Sequence, residues 1–290
     1  MNINHFGTLY IVATPIGNVQ DMSPRAIQVL KSVDYIAAED TRHSGPLLQH
    51  FSIQTPLIAL HEHNERDRSV NLLERLQQGK SIALISDAGT PLISDPGYFL
   101  VRAAKEGGIS VVPIPGPCAI ITALSAAGVA TDRFSFEGFL PAKAKQRLQQ
   151  LELLRHEMRT MVFYEAPHRI LDSLHDMLTV FGATRRVVIA RELTKLYETI
   201  RAASLADLIE WVKADPNQQR GEIVVIVEGT KETANQANAV SAENILKILL
   251  ADLPLKQAVA LAANISGKRK NELYQQALTI QSLKDDSSNP

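Results

Sequence analysis

The chain has 290 residues, of which 45% are hydrophobic, and its formal net charge is −1. This length and hydrophobic content suit two globular domains, or one large domain with additions. The nearly balanced charge excludes a general polycation that coats nucleic acid, so RNA binding would need a local basic face. The only cysteine, Cys118, excludes an intramolecular disulfide and a cysteine-cluster metal site.

The sequence shows no sign of a membrane segment or a signal peptide. No apolar stretch approaches the roughly 20 residues needed to cross a bilayer, and the longest candidate, 119–130, is short and rich in alanine. The first residues lack a charged start followed by a long apolar region. We therefore expect a cytoplasmic protein without membrane contact.

Short β-branched runs alternate with helical patterns through the first half of the chain. The predicted strands are 8–14, 33–39, 56–62, 81–87 and 110–115. This alternation predicts an α/β fold with a mostly parallel sheet. Two of the helix starts are marked by a capping residue followed by proline, Ser23-Pro24 and Asp95-Pro96.

The second half of the chain predicts a second α/β sheet of a different kind. Its predicted strands are 134–140, 160–166, 186–192, 197–203 and 222–229. The third and fourth of these are separated by only a few residues, which indicates an antiparallel hairpin and therefore a mixed sheet.

The sequence after residue 229 is polar and rich in alanine, as linkers are. Three short helical patterns follow at 242–251, 255–264 and 268–279, and the last residues, 284–290, are predicted to be disordered. We therefore expect three parts. They are an N-terminal α/β domain (1–120), a C-terminal α/β domain (121–232) and a small helical appendage (240–283).

The loop SDAGTPLISDPG (86–97) is longer than a connection from strand to helix requires. Gly89 and Gly97 allow the backbone to approach a ligand closely, while Asp87 and Asp95 supply anionic acceptors. The predicted helix start after Asp95 offers free N–H groups that suit a carboxylate. The loop therefore favours a zwitterionic ligand such as an amino-acid moiety.

Charged side chains follow several predicted strands, where open α/β sheets bind their ligands. In AAEDTRHSG (37–45), Arg42 and His43 suit phosphate contact and Asp40 would orient them, although a solvated strand end is the alternative. Similar charges end the strands at 160–166 and 186–192. They indicate either a ligand cleft between the domains or an interdomain network of salt bridges.

Seven segments in order resemble one enzyme family. They are TLYIVATPIGN, AAEDTR, SDAGTPLISDPG, PGPCA, FEGFLP, FYEAPHRI and RELTK. The resemblance, from about residue 6 to residue 229, is to the ribosomal RNA small-subunit methyltransferase I family of the tetrapyrrole methylase superfamily. It implies S-adenosylmethionine as the cofactor, held in a cleft between two α/β domains, and a homodimer.

The resemblance also implies a reaction and a set of cofactor-binding residues. The implied reaction methylates the ribose 2′-hydroxyl of a cytidine in the decoding region of small-subunit (16S) ribosomal RNA, free or in the assembled subunit. At Thr90 the sequence GTP replaces the GDP that is more typical of the superfamily. The implied cofactor-binding residues are Pro15, Ala88, Gly89, Thr90, Ile93, Cys118, Ala119, Glu165 and Leu193.

A ribose hydroxyl is a poor nucleophile, so a positioned base should assist it. We expect Lys195, Glu165 or Asp87 to lie nearest that hydroxyl, and we expect no metal. The target base should be unpaired or splayed. The residues expected to contact RNA are Arg42, His43, Lys143, Lys145, Arg169, Lys268, Arg269 and Lys270.

Two other functions fit the same sequence. The first is a methyltransferase for a tetrapyrrole or other small molecule, because one fold supports many functions. The second is a non-catalytic RNA-binding or ribosome-assembly protein, in which the loops named above are plain turns. For Cys118, a buried structural thiol is favoured over a nucleophile, because no local partner would activate it.

Overall fold

The computed structural model describes residues 6–230 and 242–286. The described residues divide into two compact units, one of residues 6–151 and 160–228 and the other of residues 152–159, 229–230 and 242–286. Residues 231–241 of the predicted linker after residue 229, and the last residues, 287–290, lie outside the described residues. None of the described helices is both long and apolar enough to span a membrane.

The first sheet of the larger unit is entirely parallel, with the order β3-β2-β4-β1-β5. Its strands are β1 (Thr8–Val12), β2 (Tyr35–Ala38), β3 (Leu57–Ala59), β4 (Ile82–Ile85) and β5 (Ser110–Ile114). Its helices are α1 (Pro24–Ser32), α2 (Thr41–His50), α3 (Glu65–Gln77) and α4 (Tyr98–Glu106). The predicted parallel α/β sheet is confirmed.

Strand β4 shows why this half of the sequence folds as a covered sheet. All four of its residues are buried. Ile82 and Leu84 pack with the residues of α3 and α4, whereas Ala83 and Ile85 pack on the opposite face with α1 and α2. A strand that is covered on both faces needs an unbroken apolar run, which is the pattern of IALI.

The second sheet of this unit is mixed, with the order β6-β7-β10-β8-β9. Its strands are β6 (Phe134–Phe139), β7 (Thr160–Glu165), β8 (Arg186–Arg191), β9 (Thr199–Ser204) and β10 (Ile223–Val227). Only β6 and β7 pair in parallel, and β8 and β9 form the expected antiparallel hairpin. Its helices are α6 (Ala144–Leu153), α7 (Ile170–Phe181) and α8 (Leu205–Ala214).

Helix α5 (Ala119–Ala127) leads from the first sheet to the second. The domain boundary expected between residues 120 and 121 falls inside this helix. Its buried face, which includes Ile120 and Leu124, packs against Val188 and Val224 of the second sheet. Small alanine residues on the same face allow this close packing. Helix α5 therefore follows a strand of one sheet and packs against the other.

The smaller unit contains three helices with a core of their own. They are α9 (Ala242–Asp252), α10 (Leu255–Ser266) and α11 (Lys270–Asp286). Leu246, Val259 and Leu273 bring one buried side chain from each helix into this core. The three helical patterns read from the sequence are therefore present.

The start of α4 differs from the prediction. The helix begins at Tyr98, after Gly97, and Glu65 Oε1 accepts hydrogen bonds from the N–H groups of Gly97 at 2.8 Å and Phe99 at 2.9 Å. The cap predicted from Asp95-Pro96, with free N–H groups for a ligand, was therefore wrong. A buried carboxylate from 32 residues earlier in the chain binds these donors, and no local pattern reveals it.

Removing this long-range cap should destabilise the protein. In Glu65→Ala the N–H groups of Gly97 and Phe99 lose their acceptor, which should lower the free energy of unfolding by about 1–3 kcal/mol. Urea denaturation measures this change. Glu106→Gln, at the exposed end of the same helix, is the control and should change stability by less than about 0.5 kcal/mol. Equal losses in the two variants would contradict the proposed role of Glu65.

Candidate functional site

A cavity of about 330 Å³ lies within the larger unit, between the two sheets. On one side it is lined by the loops that follow β1, β4 and β5, and on the other by the ends of second-sheet strands. The carboxyl ends of parallel strands are where open α/β sheets bind ligands. The cavity is therefore the best candidate for a functional site among the described residues.

The loop after β4 is fixed to its neighbours by backbone hydrogen bonds. Thr14 and Gly89 exchange two such bonds, at 2.9 and 3.0 Å, and Thr90 donates its hydroxyl to the carbonyl of Pro117 at 3.0 Å. Leu92 and Ser94 have φ angles of 73° and 65°, which are unusual for residues other than glycine. Such conformations persist where the surroundings hold them, and they concentrate at functional sites.

The second sheet supplies an aromatic wall to the cavity. The ring of Tyr164 lies 4.9 Å from that of Phe136 and 5.5 Å from that of Phe139, both edge to face. Burial raises the pKa of Tyr164, and the nearby Cys118 and Asp95 add to this effect. The phenol therefore stays protonated and contributes an apolar face with a hydroxyl at its edge.

Glu165 lines the cavity but is fully occupied by hydrogen bonds. Its Oε1 accepts from the N–H of Ala166 at 2.7 Å and from Nε of Arg169 at 2.9 Å, while Oε2 accepts from the Ser173 hydroxyl. The side chain of Glu165 is 1% exposed and that of Arg169 is 17% exposed. The pair is therefore a buried ion pair that fixes the end of β7 to α7.

Three carboxyl groups gather at the ends of β2 and β4. Burial raises the pKa of Asp95, which lines the cavity, and the charge of Asp87 raises it further, against a hydrogen bond with Ser86. Burial also raises the pKa of Glu39, and the charges of Asp95 and Asp87 add to that effect. Asp87 accepts a hydrogen bond from the backbone N–H of Asp40 at 3.0 Å.

The structure places Lys195, a predicted catalytic residue, in two ion pairs. Its Nζ lies 2.9 Å from Glu192 Oε1 and 2.9 Å from Glu222 Oε2. Burial alone would lower the pKa of Lys195, but the hydrogen bonds to these two carboxylates outweigh it and raise the pKa. An amine that keeps its proton in this way cannot accept one from a substrate.

The loop of residues 192–198, which carries Lys195, is fixed by hydrogen bonds from a buried arginine, Arg191. Arg191 donates to the carbonyl of Tyr197 at 3.0 Å and to Gln218 Oε1 at 3.1 Å. Glu192 and Thr194 have φ angles of 53° and 67°. The loop therefore has a defined, strained conformation beside the cavity.

The structure brings eight of the nine predicted cofactor residues to the cavity. They are Ala88, Gly89, Thr90, Ile93, Cys118, Ala119, Glu165 and Leu193. Pro15 is buried next to Ile16, which takes its place in the lining. The lining also includes Asp95, Phe139, Tyr164 and Glu222, which are outside the predicted cofactor set. Asp95 was expected from the sequence as an anionic acceptor, and Phe139 and Tyr164 lie in segments that resemble family motifs, whereas Glu222 lies outside them.

All but one of the basic residues predicted to contact RNA lie in three surface regions. Arg42, whose side chain is 90% exposed, pairs with Asp40, which it holds at a lowered pKa by hydrogen bonding. The other exposed members are His43 on α2, Lys143 and Lys145 at the start of α6, and Lys268, Arg269 and Lys270 at the start of α11. Arg169 differs from them, because Glu165 and the carbonyl of Leu140 bind its guanidinium group.

Two family models match the chain. Residues 8–209 match "Tetrapyrrole (Corrin/Porphyrin) Methylases", which covers most of both sheets. Residues 236–281 match "RsmI C-terminal HTH domain", which covers α9, α10 and most of α11 in the smaller unit. The fold and the site thus belong to one known architecture with a C-terminal addition.

Curated relatives narrow the assignment. Ribosomal RNA small subunit methyltransferase I of Pseudomonas aeruginosa is 60% identical over 276 residues, covering 95% of this chain and 98% of the relative. The protein of the same name from Escherichia coli O157:H7 is 58% identical over 278 residues, covering 96% and 97% of the two chains. This chain belongs to the ribosomal RNA small subunit methyltransferase I family.

As a member of this family, the chain shares its fold with distant solved structures. Diphthine synthase superposes with a TM-score of 0.60 at 14% identity, covering 77% of this chain and 90% of the other. The methyltransferase CobJ superposes with a TM-score of 0.59 at 19% identity, covering 77% and 95%. At such identities the likeness shows the tetrapyrrole methylase fold alone, and it confirms the predicted fold class.

Proposed function

We propose that this methyltransferase transfers a methyl group from S-adenosylmethionine to the ribose 2′-hydroxyl of a cytidine in the decoding region of small-subunit ribosomal RNA. The observation that carries the proposal is that eight of the nine implied cofactor residues line one and the same cavity. The names of the relatives support ribosomal RNA as the substrate. The ribose position and the cytidine are the finer part of the proposal.

The chemistry of the cavity fits the proposed cofactor. Its apolar and aromatic wall, with Ile16, Leu193 and Tyr164, suits an adenine ring. The charged residues of the described lining are the acids Asp95, Glu165 and Glu222, so no positively charged side chain in it would repel a ligand that carries a sulfonium and an ammonium group. When bound, S-adenosylmethionine supplies an electrophilic methyl group.

The chain's own residues would bind, orient and shield the substrates. The hydrogen bonds between Thr14 and Gly89 fix the loop that faces the cofactor, and the Glu165–Arg169 pair fixes the opposite wall. Preorganised walls of this kind raise the rate through proximity and orientation, because little motion remains to be restricted during the reaction. The exposed basic residues of α2, α6 and α11 would bind the phosphates of the RNA.

Labelled S-adenosylmethionine provides the test of this function. We expect label to enter the small subunit or its free RNA at one cytidine 2′-hydroxyl, and calorimetry to show cofactor binding. Label in a free tetrapyrrole instead would support the small-molecule alternative. A chain that binds RNA but no cofactor would support the non-catalytic alternative.

The basic stretch of residues 268–270 is expected to contribute to RNA affinity. Replacing Lys268, Arg269 and Lys270 by glutamine should weaken RNA binding and reduce the slope of log affinity against log salt by about 2, since each contact to single-stranded RNA contributes about 0.7. Cofactor affinity should be unchanged. The slope is measured by filter binding at several salt concentrations.

The matched control for this triple variant removes three exposed lysines from other helices of the chain. These are Lys31, Lys105 and Lys213. An equal loss of salt dependence in the control would mean that only net charge matters, and would contradict a specific contact at residues 268–270. We further propose a homodimer, which the family resemblance implies, and a cytoplasmic location, which the composition favours. Light scattering tests the oligomeric state.

A further inference from the structure

We propose that Asp95 is the catalytic proton acceptor of this site and takes the proton that the substrate hydroxyl releases as it is methylated. This inference rests on the proposed function and names a residue for a role in which Lys195, Glu165 or Asp87 was expected. It follows from the position and partners of the carboxyl groups around the cavity.

Only three acidic residues belong to the described lining of the cavity, namely Asp95, Glu165 and Glu222. Glu165 is neutralised by Arg169, and its oxygens accept several hydrogen bonds. Glu222 forms an ion pair with Lys195 at 2.9 Å. Among these three acids, Asp95 alone has no cation within ion-pair distance in the described residues.

The other carboxyl groups of the acidic cluster do not reach the cavity. Asp87 and Glu39 are absent from its described lining, and Asp87 accepts a hydrogen bond from the backbone of Asp40. Asp95 differs because it lines the cavity. It directly follows Ser94, whose φ angle is 65°, and Glu65 rather than Asp95 binds the N–H groups at the start of α4.

The surroundings of Asp95 suit a proton acceptor. Burial raises its pKa, the charge of Asp87 after β4 adds to this, and Ser86 opposes it by hydrogen bonding. Glu39 after β2 and Tyr164 of β7 are the other titratable groups that interact with Asp95. A base is more effective when its pKa approaches the working pH, so these neighbours strengthen Asp95 for this task.

The methyl transfer, with proton transfer to Asp95, needs no further reactant. The hydroxyl oxygen forms a bond to the methyl carbon, the bond between that carbon and the sulfonium sulfur breaks, and its electron pair stays on sulfur. Asp95 receives the hydroxyl proton and later releases it to solvent. The methyl donor is the sulfonium cofactor named in the proposed function.

The first test is the pH dependence of the unmodified enzyme. Single-turnover methylation of small subunits, with saturating labelled cofactor, should lose rate as the pH falls, about tenfold per unit below the midpoint. That midpoint should lie above the pKa of about 3.9 for an ordinary aspartate. In Asp87→Asn it should move to lower pH, because a neighbouring negative charge is removed. A profile without an acidic limb, or a midpoint at or below about 3.9, would overturn the proposal.

The second test uses variants of Asp95 itself. Asp95→Asn should lower the single-turnover rate by about 10²- to 10⁴-fold, while the Kd for cofactor, measured by calorimetry, changes less than threefold. Asp95→Glu should retain measurable activity and the acidic limb of the profile. Asp132→Asn, an exposed aspartate just before β6, is the control and should keep the normal rate.

A third measurement does not depend on activity. In protein labelled with ¹³C at the aspartate carboxyl, one NMR signal should titrate above the ordinary range and disappear in Asp95→Asn. An Asp95→Asn rate within threefold of normal, or a rate loss fully explained by weaker cofactor binding, would overturn the role of Asp95. If the unmodified enzyme methylates no RNA, the proposed function fails instead, whatever the NMR signal shows.

Discussion

Replacing Glu165 by glutamine is expected to lower the free energy of unfolding by about 3–5 kcal/mol, the usual cost of breaking a buried ion pair by removing one partner. Glutamine preserves the shape of the side chain but not its charge, so Arg169 would remain largely buried without a counter-charge. One end of the amide would also present N–H donors to groups that are themselves donors. The loss should appear in urea denaturation.

Two further variants distinguish this structural role of Glu165 from a catalytic one. Glu210→Gln, which removes a 75% exposed carboxylate, should change stability by less than about 0.5 kcal/mol. The double variant Glu165→Leu, Arg169→Met should recover much of the lost stability, because an apolar pair leaves no buried charge. A Glu165→Gln protein of normal stability but lost activity would restore Glu165 as a candidate base.

Replacing Gly97 by alanine should have a comparable effect through the backbone. Gly97 has a φ angle of +127°, and a Cβ atom there would lie 2.6 Å from Cδ2 of the buried Leu84. Strain at such an angle costs about 1–3 kcal/mol, and overpacking of a core costs about 1–3 kcal/mol more. We therefore expect a loss of about 2–6 kcal/mol in the free energy of unfolding.

Gly108 provides the matched comparison for Gly97→Ala. It also has a positive φ, of +73°, but a Cβ at this position would meet nothing within 4 Å. Gly108→Ala should therefore show the backbone cost alone, about 1–2 kcal/mol. If thermal or urea denaturation gave equal losses for the two variants, contact with Leu84 would not be the reason for glycine at position 97.

The sheets could be predicted from the sequence because burial imposes local patterns. The run IALI of β4 and the short connection between β8 and β9 specify a covered strand and a hairpin without reference to the rest of the chain. The loop after β4 was recognised for a similar reason, because its length exceeded what a turn requires. Its resemblance to a family motif added the implied cofactor residues.

The partners of charged residues could not be predicted in this way. Asp95-Pro96 resembles a helix start, but Glu65 supplies the cap from another helix. Glu165 and Arg169 were each predicted to bind a ligand, and the ion pair between them was not predicted. Such pairings depend on how distant segments pack, which is also why Glu222, outside every segment that resembles a family motif, could not be assigned to the cavity from the sequence.

The loop of residues 192–198 depends on two positions that have no side chain. A Cβ atom at Gly17 would lie 2.5 Å from Cγ of Lys195, and one at Gly221 would overlap the carboxylate of Glu192. The Lys195–Glu192 ion pair thus occupies space that two glycines from distant segments leave open. These four positions should therefore evolve as one epistatic set, so that grafting this loop onto a related enzyme would succeed only if both glycines were transferred with it.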